Sequence, residues 1–279
     1  MMKKVLKVAF CSALFAAVLI VVLNVTGSRA EKKKTLRVAM ECAAAPYNWS
    51  QSTPEGGAVK IVGSFEYAHG YDVLISKLLA EALDMELEIY KIEWDGIPPA
   101  VVTGKVDAAI ASMAITEKRK QTVDFTLPYY YTDYVPLVRK NSPQASAKCL
   151  ADLSGSSATS QLNSVWYEKV DQIPDVEKLP PLDTFPSMIV ALQSGKCDVL
   201  VVGIPTAMAA EIANPDLMML DFPAGRGFES TREERELGIA IQKGNTELKE
   251  ALDSVLIKLT DKDRKALMEE AIRKQPLMQ

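Results

Sequence analysis

Residues 94–119, WDGIPPAVVTGKVDAAIASMAITEKR, carry a guanidinium where it could hold a small anion. Residues 97–103 have apolar side chains at helical spacing, with Pro98 and Pro99 in a first turn where a missing N–H costs nothing. Gly104 fits a helix C-cap. Residues 106–111 are almost all apolar, which predicts a strand covered on both faces. Arg119 follows just past that strand's carboxyl end, where open α/β sheets bind ligands. A guanidinium there suits a carboxylate, which it meets through two parallel N–H donors. The competing reading keeps Arg119 on a surface helix, paired with Glu117 or Asp124. Glu41, at the end of an alternating stretch over residues 35–40, is the only obvious acid-base candidate, and no second catalytic group accompanies it. His69 is the sole histidine, which argues against a zinc cluster and against a Ser-His-Asp triad.

The elements that must position these groups fit a chain of 279 residues, 48% hydrophobic and 24% charged, long enough for two domains. Residues 1–30 stand apart. A basic start, an apolar run over 8–23 and the small residues of Ser28-Arg29-Ala30 read as a cleaved export signal. The run is also near the length that spans a bilayer, so an uncleaved membrane anchor is the alternative. Cys11 lies mid-run behind Phe10, which fits a lipoprotein signal poorly. Removal of residues 1–30 leaves 28 basic against 36 acidic residues, or −8, a poor balance for binding nucleic acid. Cys42, Cys149 and Cys197 then remain. Three is no disulfide framework. Either Cys149 and Cys197 pair, or all three are small buried residues.

Strands are expected over 35–40, 86–92, 135–139, 158–160, 199–202 and 238–241. Asp72 reads as the N-cap of a helix through Leu83, and residues 50–68 as a loop or hairpin. Asn245 or Thr246 opens a late helix, and a last one spans about 262–274. Gly195-Lys196-Cys197-Asp198 repeats Gly104-Lys105-Val106-Asp107 after 91 residues. In that register Phe185 matches Trp94, Ala191 matches Ala100, 199–202 matches 108–111, and Gly203 matches Ser112. Two such units imply two similar α/β lobes. The late helices show no partner in the second half, so the chain is expected to return to the first lobe. That gives two crossing strands near 132–139 and 236–241, a hinge.

Three runs, LRVAMECAAAPYNW, GYDVLISKLLAEAL and EWDGIPPAVVTGKVDAAIASMAITEKRKQTVDFTLPYYY, together resemble the family-3 extracellular solute-binding proteins, the amino-acid-binding components of ABC importers. The resemblance covers about residues 35–275. It implies a periplasmic-binding-protein-like type II α/β fold that closes like a clam-shell on one amino acid. Lobe 1 would comprise 35–132 with 237–279, and lobe 2 would comprise 133–236. The implied partners are a small-molecule ligand and an ABC permease with its ATPase; membrane association would come only through an uncleaved N-terminus. The implied location is extracytoplasmic, either the periplasm or the outer face of the cell membrane. No cofactor, metal or catalytic residue is implied.

Carried over by position, Arg119 would grip the ligand's α-carboxylate, Trp94 would pack on its side chain, and Ser112 would add hydroxyl and backbone contacts. Gln161, Asn163 and Ser164 match the second-lobe loop that meets the carboxylate on closure, and Glu41 matches an acid that faces a polar or basic ligand side chain. Alternatives stay open. Trp94 could be core, Ser112 a plain strand end, Gln161 or Asn163 turn formers, and Glu41 a solvated carboxylate. Three positions depart from the family pattern: Ala44 for an aromatic, Ala114 for a hydroxyl residue, and Gly203 for the acid that holds the α-ammonium. Glu41 or Asp183 would have to take over that last role, or the ligand is not a standard α-amino acid. A tethered sensory receptor, or a dehydratase or lytic enzyme on the same fold, are the rival functions.

Overall fold

The computed structural model describes residues 33–276. The expected signal or anchor and the last three residues assigned to lobe 1 lie outside them. Among the described residues no helix is long and apolar enough to cross a membrane.

Two five-stranded sheets carry the fold, and both follow one plan. In the first, Thr35–Met40 pairs in parallel with Glu86–Lys91 on one side and Ala108–Ala109 on the other. Ala240–Gln242 then inserts antiparallel between Ala108–Ala109 and Val123–Phe125. In the second, Ser157–Thr159 pairs in parallel with Glu177–Lys178 and Val199–Gly203. Tyr134–Arg139 inserts antiparallel between Val199–Gly203 and Leu217–Met219. Each sheet thus takes its antiparallel strand from chain arriving from the other. The chain does return to the first sheet, and Tyr130–Tyr131 pairs with Glu236–Leu237 where the two passages cross. The central parallel strands Ala108–Ala109 and Val199–Gly203 are buried on both faces and read as apolar runs for that reason, while the edge strands Glu86–Lys91 and Glu177–Lys178 keep charged, exposed residues.

Local chemistry sets the element ends. Pro98 and Pro99 start Ile97–Val102, and Gly104 ends it at φ 71°. Pro186 starts Phe185–Gln193 behind a Thr184–Ser187 capping box, and Gly195 ends it at φ 76°. Asn245 caps Thr246–Leu256 through Leu248 N–H. Residues 50–68 contribute to a small four-stranded sheet, the hairpin option.

Two expectations need correction. Asp72 is not a helix cap; Gly70 precedes Tyr71–Ala82, and the Asp72 side chain lies fully buried between Asn48 and Tyr129. Of the strand expected at 106–111, only Ala108–Ala109 forms ladder pairs, although Val106 and residues 108–111 are all buried. The three cysteines are free: Cys42 and Cys197 are buried, and Cys149 is half-buried.

Candidate functional site

Both sheets present the carboxyl ends of their parallel strands to one cavity of about 30 Å3. Glu41, Ala44, Trp94, Ser112, Ala114 and Arg119 line it from the first sheet's side, and Gln161, Ser164 and Trp166 from the second's. A larger space of about 770 Å3 flanks the crossing strands, but its Arg232 and Arg235 are already matched by Glu236 and Asp133.

Arg119 sits on the four-residue helix Glu117–Lys120, whose N-cap Thr116 accepts from Arg119 N–H. Its guanidinium lies 5.4 Å from the centre of the Trp94 ring, a cation–π distance. Nη1 donates to the Ala114 carbonyl at 2.9 Å and Nη2 to the Asn163 carbonyl at 3.2 Å. Neither Glu117 nor Asp124 pairs with it; their partners are Lys120 and Lys243. Among the described residues Arg119 makes no ion pair, and burial lowers its pKa. A half-buried guanidinium that meets only carbonyls and a ring still has donors to give to an anion.

Glu41 is 4% exposed. Gln161 Nε2 reaches both its oxygens, at 3.2 and 3.1 Å, and also the Asp183 carbonyl. Desolvation raises the Glu41 pKa to about 7; the Gln161 bond pulls against this, while Glu93 and Asp95 push the same way. Ser112 holds a left-handed backbone at φ 48°, and its N–H donates to Tyr129 Oη at 2.8 Å. That hydroxyl donates to Asp72 Oδ1, Asn48 Nδ2 donates to Asp72 Oδ2, and Asn48 Oδ1 accepts from Cys42 N–H. One buried carboxylate therefore ties down both strand ends that carry Glu41 and Ser112. Burial raises the Asp72 pKa to about 6, against the pull of these bonds.

The remaining expected residues behave differently. Asn163 is exposed, has φ 54°, and sends its side chain to Asp95 Oδ1 at 2.9 Å, so only its carbonyl meets Arg119. The Ser164 hydroxyl is already engaged: it donates to the Gln161 carbonyl and accepts from Tyr167 N–H as cap of Val165–Lys169. Asp183 is exposed and does not line the cavity. Asn48, Tyr134 and Trp166 do line it and escape a reading by sequence run. Trp166 looks like one apolar position of a short helix, and only the turn at Gln161–Ser164 hints that this helix starts at the cavity.

The model of the bacterial extracellular solute-binding proteins, family 3, matches residues 36–272. The L-arginine-binding protein of Pseudomonas aeruginosa is 30% identical over 244 residues, spanning 85% of this chain and 86% of that protein. A solved ancestral arginine-binding protein bound to glutamine superposes with a TM-score of 0.70 at 30% identity, covering 86% of this chain and 98% of that one. An ancestral amino-acid-binding protein described as a precursor of cyclohexadienyl dehydratase gives 0.69 at 27% identity, covering 85% and 95%. The chain belongs to the bacterial extracellular solute-binding proteins of family 3.

Proposed function

We propose that this solute-binding protein captures an amino acid or a related small carboxylate for an ABC importer, and that Arg119 holds the ligand's carboxylate. The observation that carries this is a half-buried guanidinium that makes no ion pair among the described residues and lies 5.4 Å from the centre of the Trp94 ring, in a cavity walled by both sheets. Glu41 takes a cationic group of the ligand, Trp94 packs on its body, and Ser112 and Gln161 complete the polar contacts. Asn163 contributes through its carbonyl and Ser164 by shaping the turn.

The cavity is far below the roughly 300–1,000 Å3 of ordinary ligand pockets. Ligand entry therefore requires the walls to part, which breaks the Glu41–Gln161, Arg119–Asn163 and Asp95–Asn163 contacts across the cleft. Residues 35–132 with 237–279 move as one lobe and 133–236 as the other, and the Tyr130–Tyr131 and Glu236–Leu237 pair flexes as the hinge. The liganded, closed form docks on a permease with its ATPase at the outer face of the membrane or in the periplasm; an uncleaved residue 8–23 run would tether it there.

A thermal-shift screen of amino acids and small carboxylates tests this, since a ligand bound only by the folded state raises the melting temperature. Stabilisation by at least one of them that Arg119→Ala abolishes is the expected result; a panel without effect sinks the reading. The likeness to a dehydratase precursor supports a second reading, catalysis by Glu41, whose pKa near 7 suits a general acid. Turnover of a prephenate-like substrate that Glu41→Gln abolishes would establish it.

A further inference from the structure

Two stretches of the first sheet reach the cavity, and each turns there through a residue with left-handed backbone. Glu41 is followed by Cys42 at φ 56°, and the buried run 108–111 ends on Ser112 at φ 48°. Neither is glycine, so each conformation is uphill and persists only where neighbours hold it.

One carboxylate holds both. Asn48 Oδ1 accepts the Cys42 N–H at 2.7 Å, while Asn48 Nδ2 donates to Asp72 Oδ2 at 2.7 Å. Tyr129 Oη accepts the Ser112 N–H at 2.8 Å and donates to Asp72 Oδ1 at 2.8 Å. Asp72, Asn48 and Tyr129 are all buried, so a lost partner leaves a polar group unpaired. An ionised carboxylate only accepts. That fixes the direction of both relays. The Asn48 amide must turn its NH2 to Asp72 and its oxygen to Cys42. The Tyr129 hydroxyl must give its proton to Asp72 and keep its oxygen for Ser112.

Resting on the receptor reading above, we propose that Asp72 is the positioning residue of the first wall. It does not line the cavity. It orients Asn48 and Tyr129, which hold Cys42 and Ser112 left-handed, so that Glu41 and Ser112 face the cavity before a ligand arrives. Binding then loses nothing to ordering these two turns.

Amide hydrogen exchange, followed by NMR on the ligand-free protein, tests this. Asp72→Asn puts an NH2 against that of Asn48. The Asn48 amide then turns over, and the Cys42 N–H loses its acceptor. Cys42 should exchange at least about tenfold faster while Ser112 keeps its protection. Tyr129→Phe should release Ser112 and spare Cys42. Adding Asn48→Asp to Asp72→Asn exchanges the two groups, restores every donor–acceptor pair and should return Cys42 to its original rate. General loosening would speed both amides together, and the exchange of groups would not repair it. Either of those results overturns the proposal, and Tyr129→Phe with the double variant decides it even if Asp72→Asn does not fold. Affinity is read on the single variants, because Asn48 lines the cavity. Whichever of arginine, glutamine and histidine raises the melting temperature most should bind about tenfold more weakly to each. If none of the three binds the unaltered protein, the receptor reading falls and the exchange rates still decide what Asp72 holds. If one binds and the single variants match the unaltered protein in affinity, the receptor reading stands and the positioning role falls.

Discussion

The two echo units, residues 94–112 and 185–203, share a scaffold and part company at its tip. Both helices end on a glycine with positive φ, and both then reach an aspartate that clamps the neighbouring parallel strand. Asp107 accepts from Arg37 N–H and returns its own N–H to the Arg37 carbonyl. Asp198 does the same with Ser157. An arginine braces each carboxylate, Arg37 in one lobe and Arg139 in the other. Past the strands the likeness stops. The first unit ends at Ser112, left-handed and pinned by Tyr129, in a loop that leads to Arg119. The second ends at Gly203, which runs straight into the helix Ile204–Ala213. The Gly-Lys-x-Asp segment belongs to the sheet and so repeats; past it, Ser112 and Arg119 line the cavity and Gly203 does not.

The largest expected effect separates the two tips. Arg119→Ala should weaken ligand binding by about a hundredfold or more, the scale on which a desolvated charge pair loses one partner. Calorimetry reads it directly, and a loss below tenfold would mean the carboxylate is held elsewhere. Next comes Glu41. Its pKa of about 7 in the fold stands above 4.5, so between those values the folded state binds more protons than the unfolded one. Stability without ligand should fall as pH rises from about 4.5 and level off above 7, by about 3 kcal/mol in all. Asp72, raised to about 6, adds a decline that ends earlier, and His69, whose pKa burial lowers from 6.5, adds an opposing rise in the same range, so the difference between wild type and Glu41→Gln is what isolates Glu41. Glu41→Gln should flatten denaturation midpoints there. For a cationic ligand the sign reverses, because the ionised form binds, and affinity should climb as pH rises through 7.

The clamps should give a smaller and matched effect. Asp107→Ala and Asp198→Ala each strip a strand-start N–H of a charged acceptor, worth about 1.5–3 kcal/mol in unfolding experiments. Ligand affinity should hold in both. A large loss in one and none in the other would break the equivalence of the lobes.

The clamps also mark how far sequence carries. Gly104, Asp107, Gly195 and Asp198 were legible because one backbone geometry imposes the same residues twice. Arg119 was legible by its place beyond a buried strand. Asp72 was misread because a carboxylate next to a helix start satisfies the cap rule locally, while its actual partners, Asn48 and Tyr129, come from 24 and 57 residues away. Asn163 and Ser164 share one turn, and only tertiary contacts decide that the carbonyl of the first meets Arg119 and the hydroxyl of the second caps a helix. Trp166 and Tyr134 stayed hidden because an aromatic beside a cavity has the same sequence pattern as one in a core.

The smallest effects bear on why the second tip is bare. Gly104 and Gly195 have open space where a Cβ would go, so only their positive φ demands glycine. Alanine at either should cost about 1–2 kcal/mol, the strain of a left-handed backbone. Gly203 is the reverse case. At φ −70° and ψ 150° its backbone suits any residue, and what opposes a side chain is Thr132 Oγ1 at 3.2 Å. Thr132 already donates to the Asp133 carbonyl, and a shift of a few tenths of an ångström would make room. Gly203→Ala should therefore cost less than either helix-end substitution, at most about 0.5 kcal/mol. If unfolding shows a larger loss, crowding by Thr132 and Trp166 keeps the second tip free of an acid. If the small cost is found, position 203 tolerates a side chain, and its bareness reflects the ligand rather than the fold.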